Sequence, residues 1–282
     1  MINKICVAGA GTMGSGIALC AAQYGFETIL FDTNELVLNN AQSSVNKNLD
    51  VLLEKNKITT SEKALILQRL KYTNQINDCI APLIIEAIVE KPEIKIALFN
   101  QLAAVNEPST IFASNTSSLS INLLQDGIIN PERVAGMHFF NPAQIMKLVE
   151  VVKAKQTADT AIEIIMYVCR QMQKTPVLCI DAPGFIVNRV ARHYYLEAMK
   201  MVELGLATIE NVDEIMEASG FKMGPFKLMD LIGNDINLAV TTSLFEAFDH
   251  EHRFEPSELQ IDKVKNNELG RKTGKGFYDY SK

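Results

Sequence analysis

Short apolar, β-rich runs alternate with amphipathic stretches through the first part of the chain. This is the pattern of a sheet covered by helices on both faces. Strands are expected at residues 2–8, 27–32, 83–88, 110–114, 134–139, 146–152 and 176–180. Between them, residues 13–24, 34 to about 57, 61–69, 92 to about 105 and 159–171 read as helices, with Pro92 in a first helical turn. After Asp181-Ala182-Pro183-Gly184 the texture changes, and helical patterns dominate at 186–204, 209–218, 236–248 and 257–265. That punctuation marks the expected boundary. The reading is an α/β chain with a doubly wound sheet domain over 1–182 and a smaller all-helical domain over 183–282.

Composition narrows the class. Of 282 residues, 48% are hydrophobic and 21% charged, which is enough apolar material for a sizeable core and argues against disorder. The formal charge of -6 supplies no long-range attraction for nucleic acid or acidic lipid, although a local basic pocket can still hold an anion. Apolar stretches are interrupted well before the ~20 positions of a membrane span. Residues 1–9 run straight into a strand and a glycine turn, leaving no room for a targeting segment. A cytoplasmic protein with no nucleic-acid or membrane partner is expected. Cys6, Cys20, Cys79, Cys169 and Cys179 are scattered, without metal or redox spacing, and read as buried free thiols.

Candidate chemistry begins at Gly9-Ala10-Gly11-Thr12-Met13-Gly14, a G-x-G-x-x-G run between an expected strand and helix. Gly9 allows the tight turn, Gly11 lets backbone approach a pyrophosphate, and Gly14 permits close helix–sheet contact. The following helix N-terminus offers unpaired N–H groups to phosphates. Asp32, at the end of the second strand, is placed to accept hydrogen bonds from an adenosine ribose. Its charge would oppose the 2′-phosphate of NADP, so a Rossmann-type NAD site is expected, with FAD the other dinucleotide. The cofactor candidates at this turn are Gly9, Gly11, Met13, Gly14 and Asp32.

Polar residues gather after later strands. Ser114-Asn115-Thr116-Ser117-Ser118 can bond a cofactor amide or a substrate oxygen, or can simply cap a turn and helix. His138 ends an apolar strand, where a core role and a catalytic role both stay open. Glu150 lies inside another apolar run, and a carboxylate there is costly unless paired. If the two strands are neighbours, Glu150 can orient His138, whose side chain titrates near neutrality and can exchange a proton with a hydroxyl. Asn188 and Arg189 follow the Pro-Gly break, on either a solvated helix face or a site. Glu86, Glu90, Lys91 and Lys95 cluster after one strand, and spacing does not decide which of them enter a site. His193 and the pair His250 and His252 are weaker candidates, and no metal site is expected.

Taken in order, these segments resemble the short-chain L-3-hydroxyacyl-CoA dehydrogenases, including bacterial 3-hydroxybutyryl-CoA dehydrogenases. The resemblance runs through 5–18, 85–90, 112–119, 138–142, 146–151, 181–189 and 270–280. It implies that His138 is the general acid/base, Glu150 its electrostatic partner, and Ser117 and Asn188 contacts to the substrate oxygen. It further implies Asp32 at the ribose and Glu90, Lys95, Ser117 and Asn141 around the cofactor. NAD would accept a hydride from C3 of an acyl-CoA substrate, or return it in reverse. The resemblance also puts part of the CoA tail on residues 34–57, with Lys47, Lys55 and Lys57 as phosphate partners, and a homodimer on the helical domain.

Two departures bear on acyl-chain preference. Ala143-Gln144-Ile145 follows Asn141-Pro142, where a longer polar side chain is expected at the acyl wall, and Asn234 occupies a place that is often apolar. The rival readings are a 3-hydroxyadipyl-CoA dehydrogenase, a sugar-acid dehydrogenase related to lambda-crystallin, and a non-catalytic nucleotide-binding scaffold.

Overall fold

The computed structural model describes residues 2–281, so Met1 and Lys282, the outer limits of the two expected domains, lie outside the described residues. The chain divides into two compact units, Met1–Ala182 and Pro183–Lys282. In the first, β1 (Lys4–Ala8), α1 (Thr12–Gln23) and β2 (Glu27–Phe31) lead into a helical pair, α2 (Glu35–Glu54) and α3 (Thr60–Gln68). Then come β3 (Leu70–Thr73), β4 (Leu83–Glu86), α4 (Pro92–Val105), β5 (Ile111–Ser114) and α5 (Ile121–Gln125). The unit closes with β6 (Val134–Phe139), β7 (Leu148–Lys153), α6 (Asp159–Gln171) and β8 (Thr175–Ile180).

These strands form a single sheet in the order β3-β2-β1-β4-β5-β6-β7-β8. Strands β1 to β6 run parallel, β7 runs antiparallel to β6, and β8 runs parallel to β7. The order reverses between β1 and β4, the switch point where a doubly wound sheet opens a crevice at its carboxyl ends. Alternating side chains of the central strands (Ile5, Val7, Leu30, Ile85, Met137, Val149) pack against α1 and α6 in the main core. A smaller cluster of Leu19, Ala22, Val45, Leu49 and Ile66 seats the α2–α3 pair on α1. Local chemistry sets the helix starts. The Asn34 side chain accepts the Leu36 N–H, Thr59 and Glu62 form a reciprocal capping box, and Pro92 begins α4.

Two elements here were not expected from the pattern, β3 and the five-residue α5. The strand expected from residue 146 begins at Leu148 instead.

The second unit contains α7 (Val187–Glu203), α8 (Ile209–Ala218), α9 (Pro225–Ile232), α10 (Asn234–Ala247) and α11 (Glu258–Lys265). Its core gathers Tyr195, Met199, Val212, Phe226 and Met229. The pattern missed α9 and began α10 two residues late. Asp213 accepts the Phe226 and Lys227 N–H groups at the start of α9, together with the Tyr278 hydroxyl. Asp230 accepts the Phe277 and Tyr278 N–H groups, both at 2.9 Å. Two buried carboxylates thus hold the segment around Phe277 against the helices. A methyl on Gly270 or Gly276 would lie 2.2 Å or 2.0 Å from Asp230 atoms, which leaves no room for a side chain at either position. Asn234 is buried beside this clasp, donating to Asp230 and to the Glu268 carbonyl. The structure therefore gives the departure at Asn234 an interior packing role. Among the described residues, no helix is long and apolar enough to cross a membrane.

Candidate active site

The glycine turn joins β1 to α1. Gly9 sits at φ +107°, and a Cβ there would come within 2.5 Å of the Ala87 carbonyl oxygen. A Cβ on Gly14 would lie 1.7 Å from the Gly9 carbonyl oxygen, so helix and turn close together only because neither glycine has a side chain. Gly11 differs, since a Cβ there would meet no protein atom. The space over it is open, as approach by a ligand requires. Met13 lies half-buried in the first turn of α1. Asp32, just past β2, accepts the Ala10 and Asn34 N–H groups, each at 2.9 Å, and so ties the turn to the strand end. Gly9, Gly11 and Asp32 line a cavity of about 470 Å³ whose apolar wall includes Ile88, Val89 and Leu98. A carboxylate at one end, bare backbone at the turn and an apolar slot between them fit an adenine dinucleotide.

His138 on β6 and Glu150 on β7 are direct cross-strand partners, with Nδ1 2.8 Å from Oε2. Both are buried, at 6% and 1% exposure. Their neighbours Met137, Phe139, Val149 and Val151 belong to the main core, so strand alternation turns the pair to the opposite face. The Phe140 ring lies 4.5 Å from the imidazole, centre to centre. With a carboxylate accepting at Nδ1, the ring is held in one orientation and one tautomer.

A second polar network occupies the ends of β4 and β5. Glu86 is fully buried and accepts from the Ile88 N–H, Lys95 Nζ and Ser114 Oγ, each at 2.6 Å. Lys95, itself buried, also pairs with Glu90 at 3.0 Å. Glu90 in turn accepts from the Thr116 hydroxyl and, at 3.0 Å, from the Ser117 N–H. The Asn115 side chain accepts the Phe139 N–H at 2.8 Å, anchoring this segment beside His138. Of the four charged residues that spacing left open, Glu86, Glu90 and Lys95 form the network, while Lys91 is exposed.

Asn141 is exposed in the connection between β6 and β7, which begins with a cis Asn141–Pro142 bond. It lines a second cavity of about 470 Å³, with Gly11 and Gly16 of α1, Ser44 and Asn48 of α2, and Gln144. Lys47, Lys55 and Lys57 are exposed and do not line this cavity. The polar residues of α2 that do are Asn40, Ser44 and Asn48, which the sequence reading missed. Their spacing of four along an amphipathic helix was the available signal. Gln144 lies against α1, with its Oε1 2.9 Å from where a Cβ on Gly16 would stand. Gln144 thus packs against the helix that follows the glycine turn and lines the same cavity as Asn141. Asn188 is the second residue of α7, half-buried in the second unit.

The family of the chain follows from comparison. Residues 4–182 match the NAD-binding domain of 3-hydroxyacyl-CoA dehydrogenases, and residues 184–280 match their C-terminal domain. A 3-hydroxyadipyl-CoA dehydrogenase of Escherichia coli is 44% identical over 281 residues, 99% of this chain and 59% of that protein. A crystal structure of Escherichia coli 3-hydroxybutyryl-CoA dehydrogenase has a TM-score of 0.97 at 44% identity, covering 100% of this chain and 60% of the other. That of (S)-3-hydroxybutyryl-CoA dehydrogenase from Ralstonia eutropha gives 0.95 at 36% identity, with 100% of both chains covered. The chain thus spans about three-fifths of the length of each Escherichia coli match and the whole of the Ralstonia one. With both domains matched in order along its length, the chain belongs to the NAD-dependent 3-hydroxyacyl-CoA dehydrogenase family.

Proposed function

We propose that this protein interconverts an L-3-hydroxyacyl-CoA, with 3-hydroxybutyryl-CoA the preferred reading, and the matching 3-oxoacyl-CoA. The observation that carries the reading is the 2.8 Å contact between His138 and Glu150 on the face turned away from the main core. NAD, when bound, supplies the hydride acceptor, and NADH the donor in reverse. His138 takes the proton from the C3 hydroxyl during oxidation and returns it to the ketone oxygen during reduction. Glu150 holds the ring and offsets the imidazolium charge. Ser117 and Asn188 hold the reacting oxygen, while Gly9, Gly11, Met13, Gly14, Asp32, Glu90, Lys95 and Asn141 border the cofactor. Lys47, Lys55 and Lys57 serve as outer partners for CoA phosphates. The helical unit carries the dimer contact, and the protein works in the cytoplasm.

A second reading has support of its own. The 44% identical Escherichia coli relative is named for 3-hydroxyadipyl-CoA, whose acyl chain ends in a carboxylate. One assay separates the two: NADH absorbance is followed with acetoacetyl-CoA, longer 3-oxoacyl-CoAs, 3-oxoadipyl-CoA and a free sugar acid in its matching direction. Highest kcat/KM with acetoacetyl-CoA supports the first reading, and highest with 3-oxoadipyl-CoA the second. Oxidation of the sugar acid without turnover of any CoA ester overturns both.

A further inference from the structure

The Glu86–Lys95–Glu90 network sets two carboxylates against one ammonium, an excess of one negative charge. Its place in the sheet gives that excess a consequence. Asp32 follows β2, the glycine turn follows β1, Glu86 ends β4 and Ser114 ends β5, and these four strands are neighbours in that order. A dinucleotide with its ribose at Asp32 and its pyrophosphate at the glycine turn continues toward the ends of β4 and β5. The two redox states of the cofactor differ in charge there, because the oxidised nicotinamide ring is a cation and the reduced ring is neutral.

We propose that the negative excess of this network biases the protein toward the oxidised cofactor, and that Glu86 is the buried residue on which the bias depends. The inference rests on the reading that Glu90 and Lys95 border the cofactor, taken here to be at its nicotinamide end. Glu86 acts as a positioning residue, because its partners are Lys95, Ser114 and the Ile88 N–H. It cancels the Lys95 charge, so that the Glu90 charge remains beside the cofactor path. Being fully buried, it is shielded little by water or salt. Hydrogen bonding alone does not require a carboxylate at this position. A glutamine retains an acceptor for Lys95 and the Ile88 N–H, and its amide can donate to Ser114 Oγ.

The test is the ratio of NAD⁺ to NADH affinity. With no tryptophan to quench, NADH binding is read from the fluorescence of the reduced nicotinamide itself, and NAD⁺ is measured by displacement. Glu86→Gln and Glu90→Gln should each weaken NAD⁺ about tenfold relative to NADH, the size expected for one unit charge in a partly buried site. Ser114→Ala, which removes a hydrogen bond and no charge, should leave the ratio in place. An unmoved ratio in Glu86→Gln with an unchanged circular dichroism spectrum overturns the proposal. If Glu86→Gln does not fold, Glu90→Gln decides by the same criterion. An equal shift in Ser114→Ala also overturns it, since bonding alone would then suffice. If the unmodified chain binds neither nucleotide, the cofactor reading itself falls. If it binds both and the variants leave the ratio unmoved, only the charge assignment falls.

Discussion

Nδ1 of His138 lies 2.8 Å from Oε2 of Glu150, and the two residues stand directly opposite each other in the antiparallel β6–β7 ladder. The proposed proton carrier and its orienting carboxylate are thus held by main-chain pairing, with no flexible loop between strand and side chain. His138→Gln should lower turnover by about 10² to 10⁴, the usual range for general acid/base help. NADH affinity should change little. Steady-state rates with acetoacetyl-CoA, measured beside NADH fluorescence, check both halves. Undiminished turnover in a folded variant would remove His138 from the mechanism.

Glu150→Gln keeps the shape of the pair and removes its charge. Turnover should fall and the pH–rate profile should change, because the imidazolium loses its counter-charge. The profile must be recorded where proton or hydride transfer limits the rate. A profile identical to that of the unmodified enzyme would leave Glu150 with packing alone.

Asp32 accepts two backbone N–H groups at the dinucleotide turn. Asp32→Ala should weaken NAD binding roughly 10- to 100-fold, as expected for losing hydrogen bonds to a charged acceptor. It should also narrow the preference over NADP by removing the negative charge. Parallel titrations with both cofactors measure the two effects, and an unchanged preference would refute the ribose assignment.

In the second unit, Asp230→Ala should cost about 2–5 kcal/mol, because it strands the Phe277 and Tyr278 N–H groups. Gly276→Ala should also destabilise, through the clash 2.0 Å from Asp230 Oδ1. Urea unfolding of each variant gives the comparison. Wild-type midpoints would mean that the clasp contributes nothing.

Acid should loosen the same region. Lys263 and then Lys275 bond the Glu268 carboxylate and hold it below its ordinary value of 4.5. A carboxylate depressed in the folded state stabilises above its unfolded value, and that contribution disappears as pH falls through the folded one. Melting temperature should therefore drop below about pH 4.5 more steeply in the unmodified protein than in Glu268→Gln. Equal slopes would show that Glu268 is not part of the acid response.

The dyad was legible in the sequence because a glutamate inside an apolar strand needs a partner, and His138 supplied one on the neighbouring run. The glycine turn was legible for a similar reason, since each glycine had a distinct steric task. The rest depended on packing that spacing does not reveal. β3 is a four-residue strand at the sheet edge with only Thr73 buried, so it carries no alternating apolar signal. α9 begins at Gly224-Pro225, which reads as punctuation, although Pro225 occupies the first helical turn and Phe226 and Met229 reach the core. On α2 the lysines drew attention by charge, whereas the residues lining the cavity are the uncharged Asn40, Ser44 and Asn48. The bonding of Glu86 was only half legible, because Ile88 and Lys95 follow it closely in sequence whereas Ser114 meets it only where β4 and β5 end side by side.

Gly136 stands opposite Val152 in the ladder that carries the dyad, and a Cβ on Gly136 would come within 2.7 Å of the Val152 Cβ. A two-residue slip would keep every side chain on its own face, yet would set Val152 against His138 or Val134 instead of the glycine notch. Glu150 would then face Phe140 or Gly136, leaving a well-bonded sheet in which His138 and Glu150 no longer meet. The bare glycine acts as a detent for strand alignment, and filling it would part the two side chains on which the proposed chemistry depends.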